Sequence, residues 1–594
     1  MERVGSISVK FTTQTPSSKG HQLYPGFKQE AKVLPKHSVY KEGALALPCD
    51  ILWERDIAVK LRDGVTIYTD VYRPPNAKEK LPAIVSLGPF GKNGGLNRAM
   101  LNASPWRNGV PQKSVSGLEK FEALDPAYWC LHGYVLVHPD PRGTWMSEGD
   151  TYINSTLDGK DGYDIVEWIA EQEWSNKKVS MAGNSYLAQS QWFIGAEKPP
   201  HLACLAPWEG WNDLYEDSAM RGGIPDPGFQ NAIISVCAPG LGRTEDVARM
   251  SQAYPLWNEY WEDRRARVDK IEVPMYIVSS WTNGLHTRGT FRGYIEGGSK
   301  EKWLRVHNSH EWPDLYYPQN TEDLRKFFDY YTKGIANDWK HTPKVRLSIL
   351  NPAGKDIINR PEADFPLTRQ ESKRLFLDAK FGTARYEKPS VPSRISFDAT
   401  TGSAQFVHTF AKRTELTGYF ALRLHVEAIG NDDIDLFAKF SKLSADDKLL
   451  ETVCIDVGYL QDDPEGEKQK LLSMHEQKDK RVDVFFSEGS TARLRVSHRE
   501  LDPGLSTPHW PRYTHANEQR LKQGEVAAVD MELWPHGMIW EAGQKIVVSV
   551  AGHDMRPGLT PMTPPCKTLN KGEIAIHTGG EFDSHLLVPF IPSE

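Results

Sequence analysis

The chain has 594 residues, of which 39% are hydrophobic and 25% are charged, and its formal net charge is -7 at pH 7. A chain of this length does not form one hydrophobic core, so we expect two or three domains. The acidic balance and the lack of a long lysine or arginine run argue against a nucleic-acid partner. No run of about 18 apolar residues is present, so we expect no membrane partner.

Cysteine spacing and the N-terminal sequence indicate a reducing compartment. Six cysteines are scattered along the chain without a Cys-x-x-Cys pair: Cys49, Cys130, Cys204, Cys237, Cys454 and Cys566. This spacing predicts free thiols rather than a disulfide framework or a zinc site. The first residues lack the apolar segment of a secretory signal, which predicts a cytoplasmic protein.

The N-terminal part of the chain predicts an extension followed by a sheet. Residues 1–50 are polar with weak periodicity, so we expect them to lie over a domain or to be partly disordered. Alternating apolar residues on both sides of Asp63-Gly64 predict a β-hairpin. Short apolar runs in 81–90 and 133–140 end in turn residues and predict strands buried on both faces.

Strands that alternate with helices predict an α/β domain over residues 51–342. Ile165, Trp168 and Ile169 have the spacing of an amphipathic helix. Residues 211–267 interrupt the alternation with Trp- and Tyr-rich, helix-prone sequence. This insertion predicts a helical cap over the carboxyl edge of a mostly parallel sheet.

The final part of the chain, residues 343–594, has a different pattern. Alternating apolar runs separated by Gly, Pro, Asn and Asp predict an all-β sandwich of the jelly-roll type. The helix predicted over 323–334 is expected to be the last one. The charged stretch 462–481 is expected to be a solvated loop of the sandwich.

The stretch VSMAGNSYLAQS, Val179–Ser190, predicts a catalytic serine. A short apolar run, then Gly183, Ser185 and small residues are typical of a nucleophile elbow, which exposes a serine hydroxyl at a sheet edge. The match to Gly-x-Ser-x-Gly is incomplete, because Leu187 stands where the second glycine would be. A serine that caps the following helix is the alternative.

A histidine and an acid position follow the serine in the order that this fold requires. Position 283 and His310 each come after a strand-like run, as the acid and the base of an α/β-hydrolase triad do. His310 is therefore the predicted base. His286 and His307 lie nearby in sequence, and we expect them to line the pocket or to be hydrogen-bonded in the core.

The motifs GNSYLA, DPRGTWMSEGD and LRDGVTIYTDVYRP, with the Trp-rich cap and the β-rich C-terminal third, resemble the cocaine-esterase / Xaa-Pro dipeptidyl-peptidase-like (CocE/NonD) family of serine hydrolases. The resemblance covers about residues 50–590. Its most specific marks are the tyrosine after Ser185 and the Arg-Gly…Ser-x-Gly segment 142–149. It implies an α/β-hydrolase core, a helical cap and a jelly-roll domain, with the substrate pocket where the three parts meet.

The triad acid departs from this family pattern. The resemblance places it at Asn283, whose amide cannot stabilise an imidazolium by charge, and the same change in serine proteases lowers turnover about 10⁴-fold. We expect Glu209, after the preceding strand, to supply the charge, with its carboxylate within hydrogen-bond reach of His310, directly or through one water. A surface or cap contact is the alternative for Glu209. Asp213 and Glu311 are weaker candidates.

The oxyanion hole departs from the pattern as well. Where the family has tyrosine in a Pro-Tyr-x-Lys segment, this chain has Phe90, which has no hydroxyl. The backbone N–H of Tyr186 would remain as a donor. The loss of one such donor typically lowers turnover about 10²–10³-fold. Three tryptophans are expected to be apolar walls of the pocket, with core packing as the alternative: Trp208, Trp211 and Trp281.

Together these residues predict a serine hydrolase without cofactor or metal that acts on an ester, lactone, thioester or amide carbonyl. Ser185 attacks, His310 takes its proton, and the Tyr186 N–H supports the oxyanion. The alternatives are a non-hydrolytic enzyme on the same fold, by acyl transfer, cyclisation or isomerisation, and a non-catalytic binding protein. The expected partner is a small-molecule substrate, and a homodimer stays open.

Overall fold

Two large β-sheets organise the chain, whose computed structural model describes residues 2–16, 26–93, 95–237, 239–457, 462–555 and 565–592. Eleven strands of these ranges form the first sheet: β1 (Glu30–Leu34), β2 (Ile51–Lys60), β3 (Thr66–Arg73), β4 (Leu81–Val85), β5 (Val135–Asp140), β6 (Ser175–Asn184), β7 (Leu202–Trp208), β8 (Met275–Ser280), β9 (Lys302–His307), β10 (Val345–Ile349) and β11 (Ile357–Glu362). Their spatial order is β11-β10-β9-β8-β7-β6-β4-β5-β3-β2-β1. The strands β4 to β10 are parallel to their neighbours within this group, and antiparallel strands complete both edges.

Helices cover both faces of this sheet, so its central strands are buried on both sides. Strands β5 and β8 are buried at every residue, which confirms the prediction made for the run 133–140. The hairpin predicted at Asp63-Gly64 is also present, between β2 and β3. The helices of the core are Pro126–Leu131, Thr156–Glu171, Tyr186–Ala196, Thr287–Glu296, Glu311–Tyr316 and Pro318–Lys333.

The carboxyl ends of β6, β7, β8 and β9 lie side by side. The register places Asn184 opposite Trp208, and Ser280 opposite His307. Residues that follow these four strands therefore meet at one edge of the sheet, where ligands of open α/β sheets bind. Ser185 is among them.

The predicted cap is a set of short segments above this edge. They are Tyr215–Ala219, Arg221–Gly223, Pro227–Cys237, Arg243–Glu245, Val247–Ala253 and Glu259–Asp263. The N-terminal extension reaches the cap, because Phe11–Thr13 pairs antiparallel with Arg243–Glu245. It also supplies the edge strand β1, so its described part lies over the domain; residues 17–25 fall outside the described ranges.

The second sheet is almost entirely antiparallel. Its strands within the described ranges are Glu371–Asp378, Thr383–Arg385, Ser393–Asp398, Ser403–Thr409, Thr414–Ile429, Asp435–Leu443, Leu449–Leu450, Thr491–Arg495, Val526–Trp540, Lys545–Ala551, Glu573–Thr578 and His585–Ile591. The α/β-hydrolase core with a helical cap, followed by this β-rich domain, confirms the predicted fold class. The core continues to Glu362, beyond the boundary expected at residue 342, because β10 and β11 pair in the first sheet.

One element of the β-rich domain differs from the prediction. Part of the charged stretch 462–481 forms a helix, Pro464–Glu476, rather than a solvated loop. Asp463 accepts a hydrogen bond from the N–H of Gly466 and Pro464 is the first helical residue, which are standard helix-start signals. The buried side chain of Leu471 holds the helix against the domain.

Buried charges join the three parts of the molecule. Arg288, on the core helix Thr287–Glu296, lies 2.7 Å from Asp217 of the cap and 2.9 Å from Glu532 of the β-rich domain. All three side chains are buried. Across the described ranges, no helix combines the length and the apolar composition that crossing a membrane requires.

Candidate active site

Ser185 occupies the sharp turn between β6 and the helix Tyr186–Ala196. Its φ of 54° and ψ of -124° are strained for a residue with a Cβ, and such strain clusters at functional sites. The end of β6 needs Gly183, whose φ is 137° and whose added Cβ would lie 2.7 Å from the Cβ of Leu187. The Ser185 hydroxyl makes no capping hydrogen bond to the helix. This geometry favours a nucleophile elbow over a helix cap.

The elbow is held by hydrogen bonds to the main-chain carbonyls of three glutamates. The Ser185 N–H donates to the carbonyl of Glu209 at 2.9 Å, and the Asn184 N–H donates to that of Glu122 at 3.0 Å. The Asn184 side chain donates to the carbonyl of Glu311 at 2.8 Å. Asn184 is fully buried whereas Ser185 is partly exposed, so the serine can be reached from solvent.

His310 caps the start of the helix Glu311–Tyr316, three residues after the end of β9. Its backbone N–H donates to the carbonyl of Cys454, in the β-rich domain, at 2.5 Å. Its Nδ1 accepts a long hydrogen bond of 3.4 Å from the N–H of Trp312. Burial, with a smaller effect of the nearby His307, lowers the pKa of His310 to about 3, so the ring is neutral at pH 7.

The resting orientation of His310 is not that of a completed triad. Among the described residues, no hydrogen bond joins the Ser185 hydroxyl to the His310 ring. A neutral imidazole that accepts at Nδ1 carries its proton on Nε2, whereas a triad base carries it on Nδ1, facing an acid. A hydrogen bond of 3.4 Å is weak, so the ring can leave it at small cost.

Asn283 is held by its own loop. Its Oδ1 accepts hydrogen bonds from the N–H groups of Leu285 at 2.9 Å and His286 at 3.1 Å. Its Nδ2 donates to Oε2 of Glu311 at 3.1 Å. Burial, and then the charges of nearby glutamates, raise the pKa of Glu311 well above its usual range. Glu311, a weaker candidate for the acid in the sequence, thus contacts Asn283, where the resemblance places the triad acid.

Glu209 has a different partner from the one expected. Its Oε1 lies 2.9 Å from Nε2 of His307, although the two atoms are not aligned as a hydrogen bond. Within the described residues it makes no direct ion pair with His310, so the expected direct contact is not formed. Asp213 lies 3.3 Å from Arg292, on the core helix Thr287–Glu296, and pairs with that arginine instead.

A further carboxyl group, Glu122, lies beside the nucleophile and was missed in the sequence. The indole N–H of Trp312 donates to its Oε1 at 3.0 Å, and its buried Oε2 has no hydrogen-bond partner. Burial raises the pKa of Glu122 to about 8, while the Trp312 indole and the Ser185 hydroxyl act to lower it. Glu122 follows no strand of the sheet and carries no motif spacing, so only the fold reveals it.

The two predicted oxyanion positions lie next to each other. Tyr186 is the first residue of the helix after Ser185, and backbone N–H groups of a first helical turn have no partner within the helix. The ring of Phe90 is buried, with its centroid 5.2 Å from that of Phe121 and 6.3 Å from that of Tyr186. An apolar ring thus fills the position where the resemblance implies a hydroxyl.

The predicted pocket residues separate into two groups. Trp208 packs against Tyr276 inside the core, and Trp281 stacks on Phe291, so core packing accounts for both. The ring of Trp211 lies 5.2 Å from that of His286, and Nε2 of His286 lies 3.9 Å from Glu311 Oε2. Trp211 and His286 therefore adjoin the site.

The described part of the chain contains no group of three or more His, Cys, Asp or Glu side chains arranged to hold a metal ion. The groups that the fold gathers at this edge of the sheet are a partly exposed serine, a neutral histidine and buried carboxyl groups. Such an arrangement can support nucleophilic attack on a carbonyl carbon.

Comparisons with known proteins identify similar chains. Residues 63–236 match the X-Pro dipeptidyl-peptidase (S15) family, and residues 337–587 match the X-Pro dipeptidyl-peptidase C-terminal non-catalytic domain. The crystal structure of a CocE/NonD family hydrolase from Staphylococcus aureus is 32% identical, with a TM-score of 0.83, over 97% of this chain and 100% of that chain.

Two further relatives are similar over a smaller part or at lower identity. Cocaine esterase from Rhodococcus sp. is 30% identical over 160 residues, which are 27% of this chain; the chain spans 24% of the length of that relative. An aminopeptidase from a Thaumarchaeota archaeon is 14% identical with a TM-score of 0.66, over 91% of this chain and 97% of that chain, and shows a similar fold.

Proposed function

The chain belongs to the CocE/NonD family of hydrolases, and on this basis we propose that it is a serine hydrolase with Ser185 as its nucleophile. The observation that supports this most is the strained, partly exposed conformation of Ser185 at the carboxyl edge of the sheet. The substrate is a small molecule with an ester, lactone, thioester or amide carbonyl, and the reaction proceeds through an acyl-enzyme.

In this mechanism the Ser185 hydroxyl attacks the carbonyl carbon and its proton passes to His310. Because the ring is neutral at pH 7, it is able to accept that proton. The backbone N–H of Tyr186 donates to the oxyanion, and His310 then gives the proton to the leaving group. Water repeats the sequence on the acyl-enzyme and releases the acid.

The test is labelling with a fluorophosphonate probe, followed by mass spectrometry of the labelled peptide. We expect the wild-type protein to be labelled at Ser185 and Ser185→Ala to be unlabelled. Ser190→Ala is the matched control. Ser190 lies on the helix that follows Ser185, and its hydroxyl donates to the Leu87 carbonyl at 3.0 Å. A folded wild-type protein that resists the probe, while a control esterase reacts, would contradict the proposal.

A non-hydrolytic reaction at the same serine is the second candidate. It is favoured by the amide at Asn283, where the resemblance implies an acid, and by the contact of His310, whose ring accepts from the Trp312 N–H and meets no carboxylate among the described residues. A weak base slows the deacylation by water, so an acyl group can instead pass to another acceptor. A panel of p-nitrophenyl esters and Xaa-Pro amides separates the two. Labelling at Ser185 without turnover of any of them favours acyl transfer.

A further inference from the structure

The main chain places Glu122 against the nucleophile. Its carbonyl accepts the N–H of Asn184, the residue before Ser185, at 3.0 Å. Its φ of 65° is in the left-handed region, so the turn that carries it is constrained. The side chain is only 4% exposed. Glu122 is therefore a fixed part of the elbow.

The two oxygens of the Glu122 carboxyl group have different surroundings. Oε1 accepts the indole N–H of Trp312, whereas the buried Oε2 has no hydrogen-bond partner among the described residues. The Ser185 hydroxyl lies close enough to this carboxyl group to lower its pKa, but no hydrogen bond of ordinary geometry joins it to Oε2 among the described residues. A buried polar atom without a partner is rare and costly, which points to a group that arrives during the reaction.

The charge state of this group follows from its neighbours. No cation is among the groups that shift its pKa, and the titratable side chains that it affects are Glu311 and Tyr316. Burial raises the pKa of Glu122 to about 8, so the group is mostly protonated at pH 7. Because Oε1 accepts from Trp312, the proton resides on Oε2.

Phe90, which has no hydroxyl to donate to an oxyanion, lies close to the turn that carries Glu122. Its ring contacts that of Phe121, the residue before Glu122, with centroids 5.2 Å apart. We propose that the Oε2–H group of Glu122 donates a hydrogen bond to the oxyanion and so replaces the hydroxyl that Phe90 lacks. This inference rests on the proposed hydrolase function.

The proposed step is balanced without any further reactant. Ser185 Oγ forms a bond to the carbonyl carbon, its proton moves to His310, and the carbonyl π pair moves to oxygen. Glu122 donates a hydrogen bond to this oxygen and keeps its proton. When the oxyanion collapses, the bond to the leaving group breaks and His310 supplies the proton. A neutral carboxylic acid in an apolar site is able to fill such a role.

The test compares Glu122→Gln and Glu122→Leu in kcat and in the dependence of kcat/KM on pH. Leucine removes the donor, so we expect kcat to fall about 10²–10³-fold. Glutamine keeps an N–H donor, so we expect kcat within about 10-fold of wild type. Wild-type kcat/KM should fall above about pH 8, as Glu122 ionises, and this fall should be absent in Glu122→Gln.

Trp312→Phe is the second variant, because it removes the indole donor and keeps an aromatic ring. Loss of that hydrogen bond raises the pKa of Glu122, so the alkaline fall should move to higher pH. A purely structural role of Glu122 would not produce this shift. Equal melting temperatures of the variants show that they are folded.

The outcomes separate this inference from the proposed function. If the wild-type protein is not labelled at Ser185, the proposed function fails. If Ser185 is labelled but Glu122→Gln keeps the wild-type alkaline fall, or Glu122→Leu keeps wild-type kcat, the inference alone is overturned. Activity that instead requires ionised Glu122, and is lost equally in both variants, would make Glu122 a base and also overturn it.

Discussion

Glu209 Oε1 lies 2.9 Å from Nε2 of His307, the last residue of β9. On its other side, Nδ1 of His307 lies 3.8 Å from Oδ1 of Asp314. Carboxylates thus flank His307 rather than His310, although His310 follows only three residues later. The carboxylates of Glu209 and Asp314 therefore contact His307 and not the predicted base, His310.

For Glu209→Gln we therefore expect a moderate loss of activity, with kcat about 10-fold lower. The variant removes a carboxylate that contacts His307 and acts on His310 only from beyond that residue. His310→Ala should lower kcat by at least about 10³-fold. Steady-state kinetics on the best ester of the panel measure both. Equal losses in the two variants would show that Glu209 contacts His310 in the reacting complex.

Asn283→Asp should increase activity. The aspartate keeps the Oδ1 acceptor of the Leu285 and His286 N–H groups, and Glu311, whose pKa is raised, can donate to it as a neutral acid. A charge here favours the triad tautomer of His310, so we expect kcat to rise at least about 10-fold. Asn283→Ala, which loses the loop acceptor, is the control and should not rise. An unchanged kcat in the aspartate variant would show that His310 does not use this position.

The stability of the protein should decrease in acid because several buried histidines are neutral. Burial lowers the pKa of His536 from 6.5 to about 3. Below pH 6.5 the unfolded state binds a proton that the folded state excludes, so stability falls as pH falls from 6.5 toward 3. His536→Phe should reduce this slope by up to about 1.4 kcal/mol per pH unit. Urea unfolding of wild type and His536→Phe at pH 5 and pH 8 measures this slope. An equal change in the free energy of unfolding at both pH values would contradict the prediction.

Removing the buried charge that joins the three parts should destabilise the protein. Arg288→Met leaves Asp217 and Glu532 buried without this partner, which should lower the free energy of unfolding by about 3–5 kcal/mol. Arg423→Met is the control, because its pair with Asp530 lies near the surface and should contribute at most about 1 kcal/mol. Urea unfolding compares them. Similar small losses would show that water or rearrangement replaces the buried contacts.

The architecture followed from the sequence because it depends on periodic apolar patterns. Buried runs gave the central strands, and the motif around Ser185 located the turn. The helix Pro464–Glu476 was not predicted, although Asp463 and Pro464 are start signals, because its single buried Leu471 produces little amphipathic pattern. Local pattern is thus informative where many residues share one face.

The polar contacts of the site could not be predicted in the same way. Glu209 was correctly placed at the sheet edge, but its choice of His307 over His310 depends on side-chain direction. Glu122 reaches Ser185 from a turn between β4 and β5, a position that no spacing in the sequence encodes. Chain order identifies the edge where residues meet, whereas packing decides which atoms touch.

The hydrogen bond from the His310 N–H to the Cys454 carbonyl determines when during translation the site can be completed. The elbow, the cap and His310 are translated well before residue 454. A nascent chain that ends after the core has all of the predicted reacting groups but not the segment that anchors its base. Activity should therefore arise late, when the β-rich domain leaves the ribosome and docks, and chains that end before residue 454 should be inactive.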